Sequence, residues 1–316
     1  MQAAVVNVLG EAPRYQSFPD PVAADGEVLI HVRAAGLHPI VKARASGAHY
    51  SSSKEVPLIP GLDGVGVLED GTRVFFAIMR GPWGTMAELA AAPRTACIHL
   101  PDGVSDVQAA AIANPGMSAW MSLKERGGLV PGETVLILGA TGVAGSLAIQ
   151  SARLLGAKRV IGVGRNVDAL AGADVDAIVA LGQPEDAIRE AFQKEAAAGI
   201  DLIIDYLWGR PTELLLEALA KTFSPTAAHR TRLVEVGSSA GQTITLNGAI
   251  LRSVDLTMMG SGFGASPLDK IFATIPELFK MAAAGKLKVD VEPVPLSQVE
   301  SAWNRQDKGK RIVFTI

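Results

Sequence analysis

The hydrophobic period of the chain changes near residue 117. Before that point apolar residues come in short runs, at 3–8, 27–34, 64–68, 73–78 and 85–91, punctuated by glycines and prolines, which is the pattern of strands joined by tight turns. In the second run Val28, Ile30 and Val32 alternate with Leu29, His31 and Arg33, so one face of that strand is mostly buried. Together the runs predict a small barrel-like domain rather than part of an alternating α/β sheet. Beyond residue 117, apolar runs at 135–138, 160–163, 177–180, 202–204, 233–236 and 256–259 alternate with Ala-rich helical stretches such as 184–198 and 211–221. That rhythm matches the two mononucleotide-binding halves of a doubly wound parallel sheet. An amphipathic helix at 267–284 and strand-like segments at 287–291 and 311–316 follow, and these last strands are expected to rejoin the first domain. The predicted organisation is a discontinuous domain of residues 1–116 and 264–316 enclosing a second domain of residues 117–263.

The richest chemistry lies where the first apolar run of the second domain meets a glycine turn, Val135-Leu136-Ile137-Leu138-Gly139-Ala140-Thr141-Gly142-Val143-Ala144-Gly145. Glycines let the backbone approach a pyrophosphate, and the N–H groups and dipole at a helix start favour an anion. Thr141, Gly142, Val143, Ala144 and Gly145 are therefore candidate cofactor contacts. The helix reading is supported by Val143, Leu147, Ser151 and Leu154 falling on one face and by Gly156 at the expected left-handed cap. A tight strand-to-helix turn with no ligand is the alternative. After the next strand the chain reads Gly164-Arg165-Asn166, where an NAD-specific site would place a carboxylate for the ribose 2′-hydroxyl. Arg165 suits a 2′-phosphate through its planar fork, so these residues point to NADPH. The alternative for Arg165 is a solvated loop residue.

Composition narrows the classes. Of 316 residues 48% are hydrophobic, and the formal net charge is only −3, which gives no general attraction to nucleic acid. The run 135–149 is interrupted by Gly, Thr and Ser and is too short for a bilayer. Met1-Gln2-Ala3-Ala4-Val5 carries no charged n-region, so a cytoplasmic location is expected. Cys97 is the sole cysteine, which rules out an intramolecular disulfide and a cysteine-cluster zinc site. Its apolar surroundings suit a small buried hydrophobe.

Across nearly its whole length the chain resembles the zinc-independent quinone oxidoreductase (zeta-crystallin-like) branch of the medium-chain dehydrogenase/reductase superfamily. The resemblance is carried by Ala35-Gly36-Leu37-His38-Pro39, by residues 59–67 from Ile59-Pro60-Gly61-Leu62-Asp63 onward, by Gly84-Thr85-Met86-Ala87-Glu88, by Leu100-Pro101-Asp102-Gly103, by the phosphate loop with Gln150, and by Val236-Gly237-Ser238-Ser239-Ala240-Gly241. It implies a GroES-like catalytic domain, a Rossmann domain, a cleft between them and a homodimer. It further implies that Val236, Gly237, Ser238 and Ser239 serve the nicotinamide half of the cofactor, that Ser261, Gly262 and Phe263 close over the carboxamide, and that Ser118 faces the ring. Glycine turns at strand ends and a core phenylalanine would need no ligand.

Departures from the family pattern bear on catalysis. Leu62 stands where the zinc-dependent branch has a histidine ligand, so no metal is expected. Residues 67–73 form a shorter hairpin than the resemblance suggests. His38 replaces the usual Asn, and Val41 the usual Asp. His38 is thus a candidate to hydrogen-bond or protonate a substrate, or else a satisfied structural histidine. Tyr50, beside His49 on a polar loop, is a candidate to cap the cleft, or lies on a plain connector. Tyr50 and Lys54 share the Tyr-x-x-x-Lys spacing of short-chain dehydrogenases, but the three serines between them make a poor helix. His31, His99 and His229 are assigned to structure or surface.

The expected activity is hydride transfer from NADPH to a quinone or another conjugated carbonyl acceptor. Reduction of an enone or enoyl-thioester double bond is the near alternative. A structural or sensing NADPH-binding protein without turnover is an alternative of a different class.

Overall fold

A computed structural model describes residues 1–224, 229–305 and 309–316. They form two compact units, Met1–Pro115 with Phe272–Ile316, and Gly116–Ile271. No described helix is long and apolar enough to cross a membrane.

The first unit begins with β1 (Gln2–Val5), β2 (Arg14–Ser17), β3 (Glu27–Gly36), α1 (Pro39–Ala45), β4 (Asp63–Val67), β5 (Arg73–Ala77), β6 (Leu89–Pro93) and β7 (Cys97–His99), and then enters α2 (Asp106–Met121). β3 organises the sheet: it pairs antiparallel with β4 and, through Glu27 to His31, with β6. Ile30 and Val32 are buried while His31 and Arg33 are exposed, as the alternation requires. β1 is shorter than its apolar run because Val6 leaves the ladder for a bridge to Leu58 and Val8 is exposed. β6 starts later than the run at 85–91. Ala87 bridges Ala3, the Met86 N–H bonds the Pro60 carbonyl, and the Thr85 hydroxyl donates to the Asp63 carbonyl at 3.0 Å. β2, with the polar sequence RYQS, has no hydrophobic alternation to announce it. The short β4–β5 turn is closed by the Asp70 carboxylate, which accepts from the Thr72 N–H at 2.9 Å, with Gly71 at φ +85°.

The second unit holds β8 (Thr134–Leu138), α3 (Val143–Leu154), β9 (Arg159–Gly164), α4 (Val167–Ala171), β10 (Ala177–Ala180), α5 (Glu185–Ala198), β11 (Leu202–Asp205), α6 (Gly209–Ala220), β12 (Arg230–Glu235), α7 (Ile250–Ser253) and β13 (Asp255–Gly260). The sheet runs β10-β9-β8-β11-β12-β13 and every pairing is parallel. This is the doubly wound order, whose ligands bind beyond the carboxyl ends of the strands where the order reverses, here between β8 and β11. Leu136, Leu138, Ile161, Val163, Ile203 and Leu233 pack with Phe192, Leu215 and Leu219 in one core. On α3, Val143, Leu147 and Ser151 are buried as expected. Leu154 is 40% exposed, because the helix has by then reached its surface end. Gly156 takes φ +89° just after it, the left-handed cap that only glycine adopts at little cost.

The chain leaves through α8 (Leu268–Ala283), β14 (Val291–Pro295), α9 (Val299–Ala302) and β15 (Arg311–Thr315). β15 lies between β14 and β3, so the last strand does rejoin the first sheet. β14 begins where the strand-like segment 287–291 was expected to end. Leu287 and Val289 are buried, but ladder pairing starts only at Val291, opposite Arg311.

Candidate functional site

The glycines of the phosphate loop differ in their steric settings. Gly139 takes φ +84°. A Cβ on Gly145 would lie 2.2 Å from the Gly139 carbonyl oxygen, so the helix packs against the strand only if residue 145 is glycine. Gly142 is exposed, and a Cβ there would meet nothing nearer than 3.5 Å. No close packing therefore demands a glycine there. The Ser146 N–H is answered by the Gly142 carbonyl at 2.8 Å, whereas the N–H groups of Val143, Ala144 and Gly145 find no acceptor among the described residues. A twelve-residue helix thus opens with donors directed at the loop, and the loop fits a nucleotide pyrophosphate.

At the end of β9, Gly164 lies against Thr141: a Cβ there would be 2.9 Å from the threonine methyl. Arg165 is exposed and makes no hydrogen bond or ion pair among the described residues. The Asn166 side-chain oxygen accepts from the Ala169 N–H at 3.1 Å and caps α4, so this end of Asn166 is committed to the helix.

The residues expected around the nicotinamide gather at the carboxyl ends of β11, β12 and β13, but several of their polar groups bond one another. The Val236 and Gly237 N–H groups both donate to the Asp205 carbonyl, at 2.8 and 3.2 Å. The Ser239 N–H and hydroxyl donate to the Tyr206 carbonyl, at 3.3 and 2.9 Å. These bonds tie the end of β12 to the end of β11. Ser238 takes no part in these bonds. The Ser261 and Ser122 hydroxyls bond at 2.9 Å, and Ser122 also donates to the Ser118 carbonyl at 2.7 Å. Gly262 and Phe263 follow on an exposed turn, with Phe263 at 42%, so Phe263 is not a core residue.

Two further groups at this edge carry no sequence signature. The Tyr206 hydroxyl is buried and makes no hydrogen bond among the described residues. Burial pushes this phenol upward, with Ser118 opposing, so it stays protonated. Asp205 is wholly buried and accepts from the Leu207 and Trp208 N–H groups at 2.8 and 2.9 Å and from the Thr212 hydroxyl at 2.6 Å. Those bonds hold Trp208 at φ +54° and ψ −165°, a region almost reserved for glycine. Glu235, in register with Asp205, is raised by burial and by that neighbouring carboxylate.

In the first unit His38 precedes α1 as its cap residue, with Pro39 opening the helix. It is 1% exposed, and its Nε2 lies 3.7 Å from Oδ1 of Asp63, itself 6% exposed. Neither ring nitrogen and neither carboxylate oxygen reaches hydrogen-bond geometry. Arg311, from β15, donates to the Leu37 carbonyl at 2.7 Å beside them. Burial, with Arg311 adding to it, holds His38 well below the usual imidazole range, while the Ala110 carbonyl opposes. Burial pushes Asp63 up to about 7, with Arg311 opposing. The His38 ring is thus buried, in surroundings that favour its neutral form. Tyr50 is 79% exposed and its ring lies 4.0 Å from that of His49. Cys97 is half-buried, its thiol raised by burial.

No family model matches the chain. A probable NADPH-dependent quinone reductase of Emericella nidulans is 27% identical, over 99% of this chain and 99% of its own length. The human quinone oxidoreductase is 31% identical over 72% of this chain and 68% of its own length. The chain belongs to the quinone oxidoreductase branch of the medium-chain dehydrogenase/reductase superfamily. Among solved structures, the quinone oxidoreductase of Thermus thermophilus, described also in complex with NADPH, superposes at a TM-score of 0.78 with 27% identity over the full length of both chains. As a quinone oxidoreductase-type chain it is an oxidoreductase, with a Rossmann unit and a GroES-like unit.

Proposed function

We propose that the chain is a metal-independent reductase that binds NADPH and passes a hydride to a quinone or similarly conjugated carbonyl acceptor. The observation that carries this reading is the open loop at Gly142 combined with the unpaired Arg165 one strand later. Thr141 to Gly145 would hold the pyrophosphate through backbone donors, Gly164 and Arg165 the adenosine 2′-phosphate, and Ser118, Ser238 and the 261–263 turn the nicotinamide half. Bound NADPH would supply the hydride and its two electrons. The residues supply orientation and exclusion of water, since a hydroquinone anion needs little acid assistance. The second proton comes from solvent or from exposed Tyr50, and His38 serves structure.

The metal-free reading is supported by donor chemistry: Leu62 cannot ligate, and the Arg311 guanidinium beside His38 and Asp63 opposes a cation. An enzyme drawing on cellular NADPH is expected in the cytoplasm, and the open edge strand β13 suits a homodimer. Loss of NADPH absorbance against a panel of quinones and enones tests the activity. Arg165→Ala tests the cofactor: it should weaken NADPH about tenfold or more through loss of a charge-assisted pair and leave NADH nearly unchanged. Equal losses would overturn the phosphate assignment.

A further inference from the structure

We infer that Ile78 is a specificity-determining residue for the electron acceptor, selecting quinones that carry an apolar substituent; the inference deepens the quinone-reducing reading above and rests on it. Among the described residues, Ile78 at φ +64° and Trp208 at φ +54° are the two non-glycine residues in the left-handed region. A β-branched side chain fits that region badly, because its Cβ and the groups on it crowd the backbone. Trp208 is held there by the Asp205 carboxylate and packs on the core of its unit. Ile78 instead leaves its apolar side chain 47% exposed, whereas Met79 beside it packs on the core of Ile30, Val74 and Phe76. Strain and exposure thus coincide at one residue, and neither serves the packing of the chain.

Both flanks impose the strain. Ala77, the last residue of β5, pairs with Asp63, the first of β4. Beyond Ile78, the Arg80 guanidinium donates to the Val22 carbonyl at 3.1 Å and the Trp83 indole to the Pro19 carbonyl at 3.1 Å, and the Pro82 carbonyl accepts from the Ile59 N–H at 2.8 Å. A costly conformation persists when its surroundings over-determine it, and such residues gather at sites that clamp a ligand. The register gives Ile78 its place: Leu62 and Ile78 each stand one residue beyond the last rung of the β4–β5 ladder, and Asp63 on that rung lies beside the buried His38. Leu62, which stands where the zinc-dependent branch has a metal ligand, marks this sheet edge as the reacting one. An isoleucine there can neither hydrogen-bond nor protonate a carbonyl. It can cover the carbon skeleton next to it, and an alkyl substituent on the acceptor would remove from water the surface that the strained turn exposes.

The test compares kcat/KM of the full chain for unsubstituted 1,4-benzoquinone and for a decyl-substituted benzoquinone, with NADPH as the donor. Ile78→Gly removes the side chain and suits the backbone, so the urea midpoint should not fall. Its kcat/KM for the decyl quinone should drop about tenfold, and that for benzoquinone should change by less than about twofold. Ile78→Asn keeps a side chain that tolerates the left-handed region but is polar, and it should lose the same preference. NADPH affinity, measured by calorimetry, should be unchanged in both variants. Selectivity retained by both variants, or equal losses on the two quinones, would overturn the inference while leaving quinone reduction intact. Failure of the unsubstituted chain to reduce either quinone would overturn both.

Discussion

At the scale of single residues, the glycines of the phosphate loop separate packing from binding. Gly145→Ala places a methyl 2.2 Å from a backbone oxygen and should destabilise the fold by about 2 kcal/mol or more. Gly142→Ala makes only an ordinary contact, 3.5 Å from the Gly139 carbonyl oxygen, at a φ of −78°, so stability should change by no more than about 0.5 kcal/mol while NADPH affinity falls about tenfold. Urea midpoints and calorimetry on the two variants check the contrast, and a Gly142→Ala protein that binds normally would contradict it. His38 and Asp63 form a second residue-level test. The His38 value lies below that of the unfolded chain, so its contribution is present above about pH 6.5 and is lost as pH falls. The Asp63 value is raised to about 7, so its contribution is present below about pH 4 and is lost as pH rises toward 7. The two slopes oppose each other across that window. His38→Asn removes one of them and should gain on the unsubstituted chain as pH drops from 7.5 to 5, by at most about 1.4 kcal/mol per pH unit. Denaturation midpoints that shift in parallel at both pH values would refute this. The phosphate loop is legible in the sequence because glycine spacing is itself a steric code. The His38, Asp63 and Arg311 cluster is not, because β15 brings Arg311 to it from the far end of the chain.

Among elements, the strands of the parallel sheet are the easiest to read, since burial on both faces makes them continuous apolar runs. β2 escapes because RYQS is half solvated, and β14 lies later than its apolar signal because buried Leu287 and Val289 stand outside any ladder. α2 goes unannounced by hydrophobic period even though Ser105-Asp106-Val107-Gln108 has capping-box spacing. In the structure the Ser105 hydroxyl accepts from the Gln108 N–H at 3.2 Å, while the Gln108 amide donates to the Val289 carbonyl instead of closing the box. Ser105→Ala should therefore lower unfolding free energy by about 1 kcal/mol without altering NADPH affinity. An unchanged urea midpoint would show that the cap contributes nothing. α2 is hard to see because its apolar residues surround the helix instead of forming one stripe, and Pro115 interrupts it.

For the molecule as a whole, β13 is an open sheet edge with Thr257, Met258 and Met259 only half-buried. Such an edge is normally blunted or paired, and pairing with a second copy is the homodimer proposed above. Light scattering should give twice 32.9 kDa, and Met259→Lys should shift the distribution toward single chains. A dimer indifferent to that charge would place the interface elsewhere. The constrained turn after β11 has an optical consequence. Trp208 is held by Asp205 one residue beyond Leu207, whose side chain packs on Gly139. Indole emission overlaps the absorption of a dihydronicotinamide ring, so this tryptophan is a built-in fluorescence donor at the mouth of the loop. Quenching of its signal would report coenzyme arrival without any label.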